Sequence, residues 1–269
     1  MKNAINGATM MPYGLQEDIA AAAKAGFEGI EIWWDKVKKY LENHSYADIK
    51  ALLRDDNILP AGLCPFLVSP FRNTDSLKED FMRGLEAAGE IGCGLLTVCA
   101  DFRPINLTKS EALKRHSELF AWHAEKATQY GIRLAIEPIG CHTLVGGPIE
   151  ALELVRTAGS PANLGILMDT FHYMRSSIGP DVIREIPAEK LYIVHVNDSE
   201  YGMIEELADK HRLYPTEGFI DLKGDMLALK DIGYDGFLSV EVFRPEYWED
   251  PIDVITRRAM DSLRKMHSL

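Results

Sequence analysis

Cysteine is scarce. The four in 269 residues, Cys64, Cys93, Cys99 and Cys141, include no CxxC pair and are too few to staple a chain of this length, which excludes a disulfide scaffold and leaves reduced thiols. Basic charge is in deficit as well: 29 Lys and Arg face 41 Asp and Glu, for a formal net charge of −12. Such a field repels phosphate backbones and anionic membranes, so nucleic acid is not the expected partner. No stretch reaches the ~20 apolar residues of a membrane span, and the N-terminal MKNAINGATMMPYG lacks the apolar core of a signal peptide. A soluble, cytoplasmic chain with no membrane partner is expected. Linkers, low-complexity stretches and charge blocks are missing too, so residues 1–269 read as one domain.

What is present is an ordinary globular composition, 46% hydrophobic and 26% charged, at a length that one barrel of alternating strands and helices commonly takes. One join recurs: an amphipathic helix ends on glycine and an apolar strand follows, as in AAAKAGFEGIEIWW, LEAAGEIGCGLLTVCA, AEKATQYGIRLAIEP and LALKDIGYDGFLSVEVF. Gly26, Gly92, Gly131 and Gly233 would supply the left-handed conformation that stops each helix. Strands fall near 3–6, 28–34, 60–66, 95–100, 133–138, 164–170, 191–198 and 236–243, several of them continuously apolar, as parallel strands buried on both faces must be. Ser76-x-x-Glu79 and Thr108-x-x-Glu111 read as capping boxes, and Asp250-Pro251 as a cap before a proline at the first helical position. Leu77, Phe81 and Leu85, or Ile255, Ala259 and Leu263, give helices a buried stripe. The fold class is α/β, a (β/α)8 TIM-type barrel, with a doubly wound open sheet as the competing layout.

In such a barrel the chemistry sits at the carboxyl ends of the strands, so polar residues that close apolar strands are the ones to inspect. Four consecutive strands end this way: LAIEP on Glu137, ILMDTFH on Asp169, IVHVND on His195 with Asn197 and Asp198 beyond it, and LSVEVF on Glu241. Neighbouring strands lie ~4.8 Å apart, close enough for these side chains to converge. A single acidic residue there usually faces solvent or caps the next helix, but three converging carboxylates require a cation. With one imidazole they suit one divalent ion, Mn2+, Mg2+, Co2+ or Zn2+. His172 enters the loop over this point and can bind a substrate oxygen. His116 and His123, on one expected helix, read as surface residues. Of Trp33 and Trp34, which close the second strand, Trp33 is the candidate to present its face to a sugar ring. Residues 199–220 form a long acidic loop, a candidate lid that carries Arg212. Arg244, in FRPEY, either receives substrate or pairs with Glu246. Cys141 has no well-placed base except His142 and is set aside as a nucleophile.

This constellation resembles the xylose-isomerase-like TIM-barrel superfamily of sugar isomerases and epimerases, whose metal sites use Glu, Asp, His and Glu from strands five to eight. Within it, the segments Asn6-Gly-Ala-Thr9, MDTFH, HVNDSE, HRLYPTEGFIDL and LSVEVFRPEY are most similar to the 2-keto-myo-inositol (inosose) isomerases. Gly7 and Thr216 stand where that group usually has an acidic residue and a glycine. The resemblance implies that Glu137 and Glu241 act as acid and base besides holding the metal; His172, Arg212, Arg244 and Trp33 are the expected substrate contacts from their own positions. Removing a proton next to a carbonyl builds charge on oxygen as an ene-diolate, which a cation stabilises, and a carboxylate can take that proton and return it to the neighbouring carbon.

The expected function is therefore a metal-dependent isomerase that moves a carbonyl between adjacent carbons of a keto-inositol or a related unphosphorylated sugar. The negative site, the acidic loop and the lack of a glycine-rich phosphate cradle favour a neutral polyol or keto-sugar. A ketose 3-epimerase or inosose dehydratase would use the same metal set, and a non-catalytic sugar-binding protein would not need both glutamates. AP-endonuclease-like DNA repair would need further histidine ligands and a basic face. A homo-oligomer is left open.

Overall fold

Lys2 pairs with Phe237 and Ile5 with Val240, so the first strand lies parallel to the last and the sheet has no free edge. The computed structural model, which describes residues 1–269, contains β1 (Lys2–Asn6), β2 (Gly29–Trp33), β3 (Leu59–Val68), β4 (Leu95–Ala100), β5 (Arg133–Glu137), β6 (Leu164–Asp169), β7 (Leu191–Val196), β8 (Asp198–Ser199), β9 (Arg212–Leu213) and β10 (Phe237–Val240). Two of these, β8 and β9, form a separate antiparallel ribbon; the other eight close the barrel. Closure excludes the open-sheet alternative. Around it run α1 (Leu15–Ala25), α2 (Trp34–Tyr40), α3 (Tyr46–Asp55), α4 (Thr74–Ile91), α5 (Lys109–Thr128), α6 (Pro148–Thr157), α7 (Thr170–Arg175), α8 (Pro180–Ile183), α9 (Leu222–Asp231) and α10 (Ile252–His267).

The strands form because helices cover their outer faces while side chains fill the barrel, which leaves no solvated face for polar residues. Every residue of β6, LGILMD, is buried. Gly26, Gly92, Gly131 and Gly233 all take positive φ, between 69° and 95°, and end helices where the sequence places those stops. Thr9 ties the closure together at the carboxyl end of the strands: its hydroxyl donates to the Val240 carbonyl and accepts the Val242 N–H.

Three local expectations are corrected. Thr108 and Glu111 do form the capping box of α5, but Ser76 and Glu79 cap nothing, because α4 already begins at Thr74. The Ser69 hydroxyl captures the N–H groups of Phe71 and Arg72, and its carbonyl accepts from Thr74, so the turn is set before Ser76 is reached. Likewise α10 starts at Ile252 with Pro251 as its cap residue, and the Asp250 carboxylate pairs with Arg258 instead. His116 and His123 are buried rather than exposed. They sit on the inward stripe of α5, and each ring bonds through Nδ1 to the carbonyl four residues before it, Ala112 and Leu119.

Candidate metal centre

Each of the four consecutive barrel strands β5, β6, β7 and β10 delivers one polar group to the same end of the barrel. Asp169 and His195 are register partners across β6 and β7, and Glu241 follows directly after β10. One ligand atom from each of Glu137, Asp169, His195 and Glu241 lies within 4.8 Å of all the others, and all four side chains are buried. From His195 Nδ1 the distances are 3.2 Å to Glu241 Oε2, 3.5 Å to Glu137 Oε1 and 3.7 Å to Asp169 Oδ2. Asp169 does cap a helix, since Oδ1 accepts the His172 N–H at 2.9 Å, yet its second oxygen still faces the cluster.

Glu31, which sequence reasoning passed over, fixes the imidazole. It lies on β2 and is fully buried; its Oε2 is 2.8 Å from His195 Nε2, and Oε1 accepts the Thr97 hydroxyl at 3.0 Å. A Cβ on Gly62 would come within 3.1 Å of Glu31 Cγ, so the glycine makes room for it. The visible signal was a charged residue inside the apolar strand GIEIW, where nothing along the chain indicates its partner. With Nε2–H donating to Glu31, His195 Nδ1 points its lone pair at three carboxylates and has no hydrogen-bond partner of its own.

That orphaned nitrogen tests whether a metal fits. Burial alone would lower His195, but the charge of Glu241, that of Glu31 and the nearby carboxylates of Asp169 and Glu137 raise it well above the usual imidazole value. The site therefore calls for positive charge at Nδ1, as a proton or as a divalent ion in its place. Three carboxylate oxygens and one imidazole nitrogen fit such an ion. Burial, opposed by His195 and reinforced by the Glu137 charge, pushes the Glu241 carboxyl up to about 7. For Asp169, burial is outweighed by the Arg212 charge and by His195, which hold it well below the carboxylate range.

Arg212 reaches this centre from β9. Asp198 anchors its loop by accepting the N–H groups of Gly218 and Ile220 at 2.8 and 2.9 Å, and β8 pairs Ser199 with Arg212. Any side chain at Gly218 would overlap the Ser199 carbonyl. Thr216, where related chains were expected to have glycine, takes φ 73°. The Arg212 guanidinium is almost fully buried between the rings of Phe171 and Phe243 and donates to Asp169 at 2.7 Å and Glu241 at 3.1 Å. Its Nη2 lies 3.0 Å from His172 Nε2. Arginine only donates, so His172 accepts there and is neutral, consistent with burial lowering its pKa.

These groups line a cavity of about 180 Å3, with Trp33, Ile139 and Phe243 as its apolar walls. Trp33, His172 and Arg212 are thus brought together around Glu137, His195 and Glu241. Trp34 is buried and bonds Asp80, which leaves Trp33 as the tryptophan of the cavity. Arg244 lies outside the cavity lining: it pairs with Glu200 at 2.6 Å and lies 3.5 Å from Glu246, the pairing that the sequence offered as its alternative. Cys99 Sγ lies 3.4 Å from Glu137 Oε2, toward which its S–H points. Cys141 is exposed, and all four thiols are free.

A closed parallel barrel with a buried Glu, Asp, His and Glu set at its carboxyl end defines a class of metal-site barrels open to a small polar ligand. The chain belongs to the xylose isomerase-like TIM barrel family, whose model matches residues 19–266. It is similar to the inosose isomerase of Bacillus velezensis, with 29% identity over 93% of this chain and 91% of that one. It is 30% identical to the 3-dehydroshikimate dehydratase of Pseudomonas aeruginosa across 94% of this chain, which spans 39% of that longer protein. A solved structure of the IolI protein with a bound zinc atom superposes with a TM-score of 0.92 at 27% identity, covering 100% of this chain and 98% of that one. No helix is long and apolar enough to cross a membrane.

Proposed function

We propose that the chain, acting as one barrel domain, is a divalent-metal isomerase that moves a carbonyl between adjacent carbons of an unphosphorylated keto-inositol. One observation carries the reading: Glu137 and Glu241 approach the same point from opposite ends of the four-strand arc, inside a buried cavity sized for one small ring. The similarity to an inosose isomerase over nearly the whole of both chains supports the substrate class.

Glu137, Asp169, His195 and Glu241 would hold the ion, and zinc is the first to test because it is bound in the IolI structure. A bound divalent ion supplies Lewis-acid stabilisation of the charge that builds on substrate oxygen. The protein's own groups do the rest. One glutamate accepts the proton from the hydroxyl-bearing carbon beside the carbonyl, the other gives a proton to the former carbonyl carbon, and the hydroxyl proton passes to the former carbonyl oxygen, so the ketone moves one carbon with no net change in protons. Arg212, desolvated between Phe171 and Phe243, directs positive charge at the developing oxyanion. Because His172 already accepts from Arg212 through Nε2, its remaining task is to hold that guanidinium and orient a substrate hydroxyl through Nδ1, which has no partner. The four free thiols fit a reducing cytoplasm.

Following 2-keto-myo-inositol with zinc- or manganese-loaded protein in D2O by NMR tests this directly. Appearance of a positional isomer of the ketone is the expected result. Inversion of the neighbouring stereocentre with the ketone in place assigns an epimerase, and elimination of water assigns a dehydratase.

A further inference from the structure

A second cavity opens beside the catalytic pocket. It occupies about 440 Å3 between the segment after β1 and the α2–α3 connection, and Trp33 lines both cavities. The catalytic pocket, at about 180 Å3, falls below the ~300 to 1,000 Å3 that drug-sized ligands occupy and so takes a single small ring. Space for anything larger lies on the other side of Trp33.

The chemistry of that space is specific. Tyr13, Trp33 and Tyr40 are half-buried and line it, and Tyr13 is held by a 2.9 Å bond from its hydroxyl to the Asp250 carbonyl. His44 stacks on Tyr40 at 4.1 Å and 15°, and Trp33 is braced edge-on against Phe243. Exposed Asn43, Lys39 and Asp35 add donors and acceptors at the rim. Lys36, at the floor, offers no free charge: its ammonium is consumed by the carbonyls of Gly7 and Met10 and by Asp18. Asp35 pairs with Lys38 at 2.8 Å, which leaves Lys39 as a single exposed charge at the rim, and one solvated lysine is no phosphate cradle. Rigid aromatic faces with a polar rim match the apolar faces and hydroxyl edges of a pyranose or cyclitol ring.

We propose that this cavity is a subsite for a second, neutral saccharide ring attached to the ring in the catalytic pocket, so that the protein accepts glycosylated cyclitols. The inference rests on the keto-inositol reading for the identity of the first ring.

The experiment compares binding of myo-inositol and galactinol, a galactosyl-inositol, to the zinc-loaded protein by calorimetry, beside turnover of 2-keto-myo-inositol. Galactinol is expected to bind roughly tenfold more tightly than myo-inositol. Tyr40→Ala and Asn43→Ala should each reduce that advantage while leaving myo-inositol affinity unchanged; Asn43 is exposed, so its variant leaves the core untouched. Equal or weaker binding of galactinol, or an advantage that survives both substitutions, overturns the subsite. If keto-inositol is turned over and galactinol gains nothing, the subsite fails and the isomerase stands. A galactinol advantage that depends on Tyr40 and Asn43, without keto-inositol turnover, leaves the subsite and removes the isomerase.

Discussion

Glu31 shows how much of a candidate metal site can lie outside the side chains that would hold the ion. Its carboxylate is held ionised against burial by His195, Thr97 and Ser239, and it fixes which imidazole nitrogen faces the cluster. Replacing Glu31 with Gln keeps the shape but removes the charge, and partners of this kind affect metal affinity by roughly 10- to 100-fold. Cobalt titration followed by its visible absorption should show that loss; unchanged affinity and spectrum would leave Glu31 a packing residue. For Glu137→Gln and Glu241→Gln the expected loss is in kcat, about 100-fold or more, with KM nearly unchanged when metal content is matched. Near-normal turnover by either metal-loaded variant removes that glutamate from proton transfer. The four clustered side chains, Glu137, Asp169, His195 and Glu241, were legible in the sequence because each closes an apolar strand, and in a barrel such positions face one common end. Glu31 was not, since its partner is 164 residues away and only strand closure brings the two together. For Arg244 the sequence left two readings, a substrate contact or a pairing with Glu246; FRPEY follows the right strand, and the side chain is taken up by Glu200 on the long loop and lies near Glu246.

At the level of elements, strand positions followed from apolar runs and helix stops from glycine, whereas helix starts depended on contacts the local sequence does not contain. Ser69 pre-empting Ser76 is one such case. His116 and His123 are another: they occupy stripe positions with Ala112, Phe120 and Ala127, yet a histidine counts as polar in any pattern unless its ring has somewhere to bond. The loop after β7, expected as a lid, has a fixed base. The β8–β9 ribbon and the Asp198 carboxylate hold it so that Arg212 enters the site, while Tyr201 and Met203 at its excursion remain exposed. Asp198→Ala removes acceptors for three backbone N–H groups, those of Ser199, Gly218 and Ile220. Arg212 should then lose its fixed position, with kcat/KM falling about tenfold or more and metal affinity retained. Hydrogen exchange of residues 212–220 should accelerate in the same variant; protection equal to the parent would contradict the anchoring role.

Over the whole molecule, two conditions are expected to set stability. A bound ion that recognises only the folded barrel adds about 4 kcal/mol at a thousandfold excess over Kd, so chelation should lower Tm by several degrees, and restoring the ion should recover it. Acid acts through different groups. Burial pulls His123 down from 6.5 to about 4, and it pulls His142 to about 4 as well. Each is neutral in the fold but takes up a proton more readily when unfolded. Stability from these residues is therefore complete above pH 6.5 and is lost as pH falls toward 4, by roughly 3 kcal/mol at most for His123. Loss of metal in acid would mimic this effect, so the comparison belongs on chelated protein. His123→Gln removes the titrating ring while keeping a side-chain donor for the Leu119 carbonyl to accept. Urea unfolding at pH 7 and pH 4.5 should show a smaller drop in stability for the variant than for the parent, and identical drops would mean that His123 titrates alike in the folded and unfolded chain.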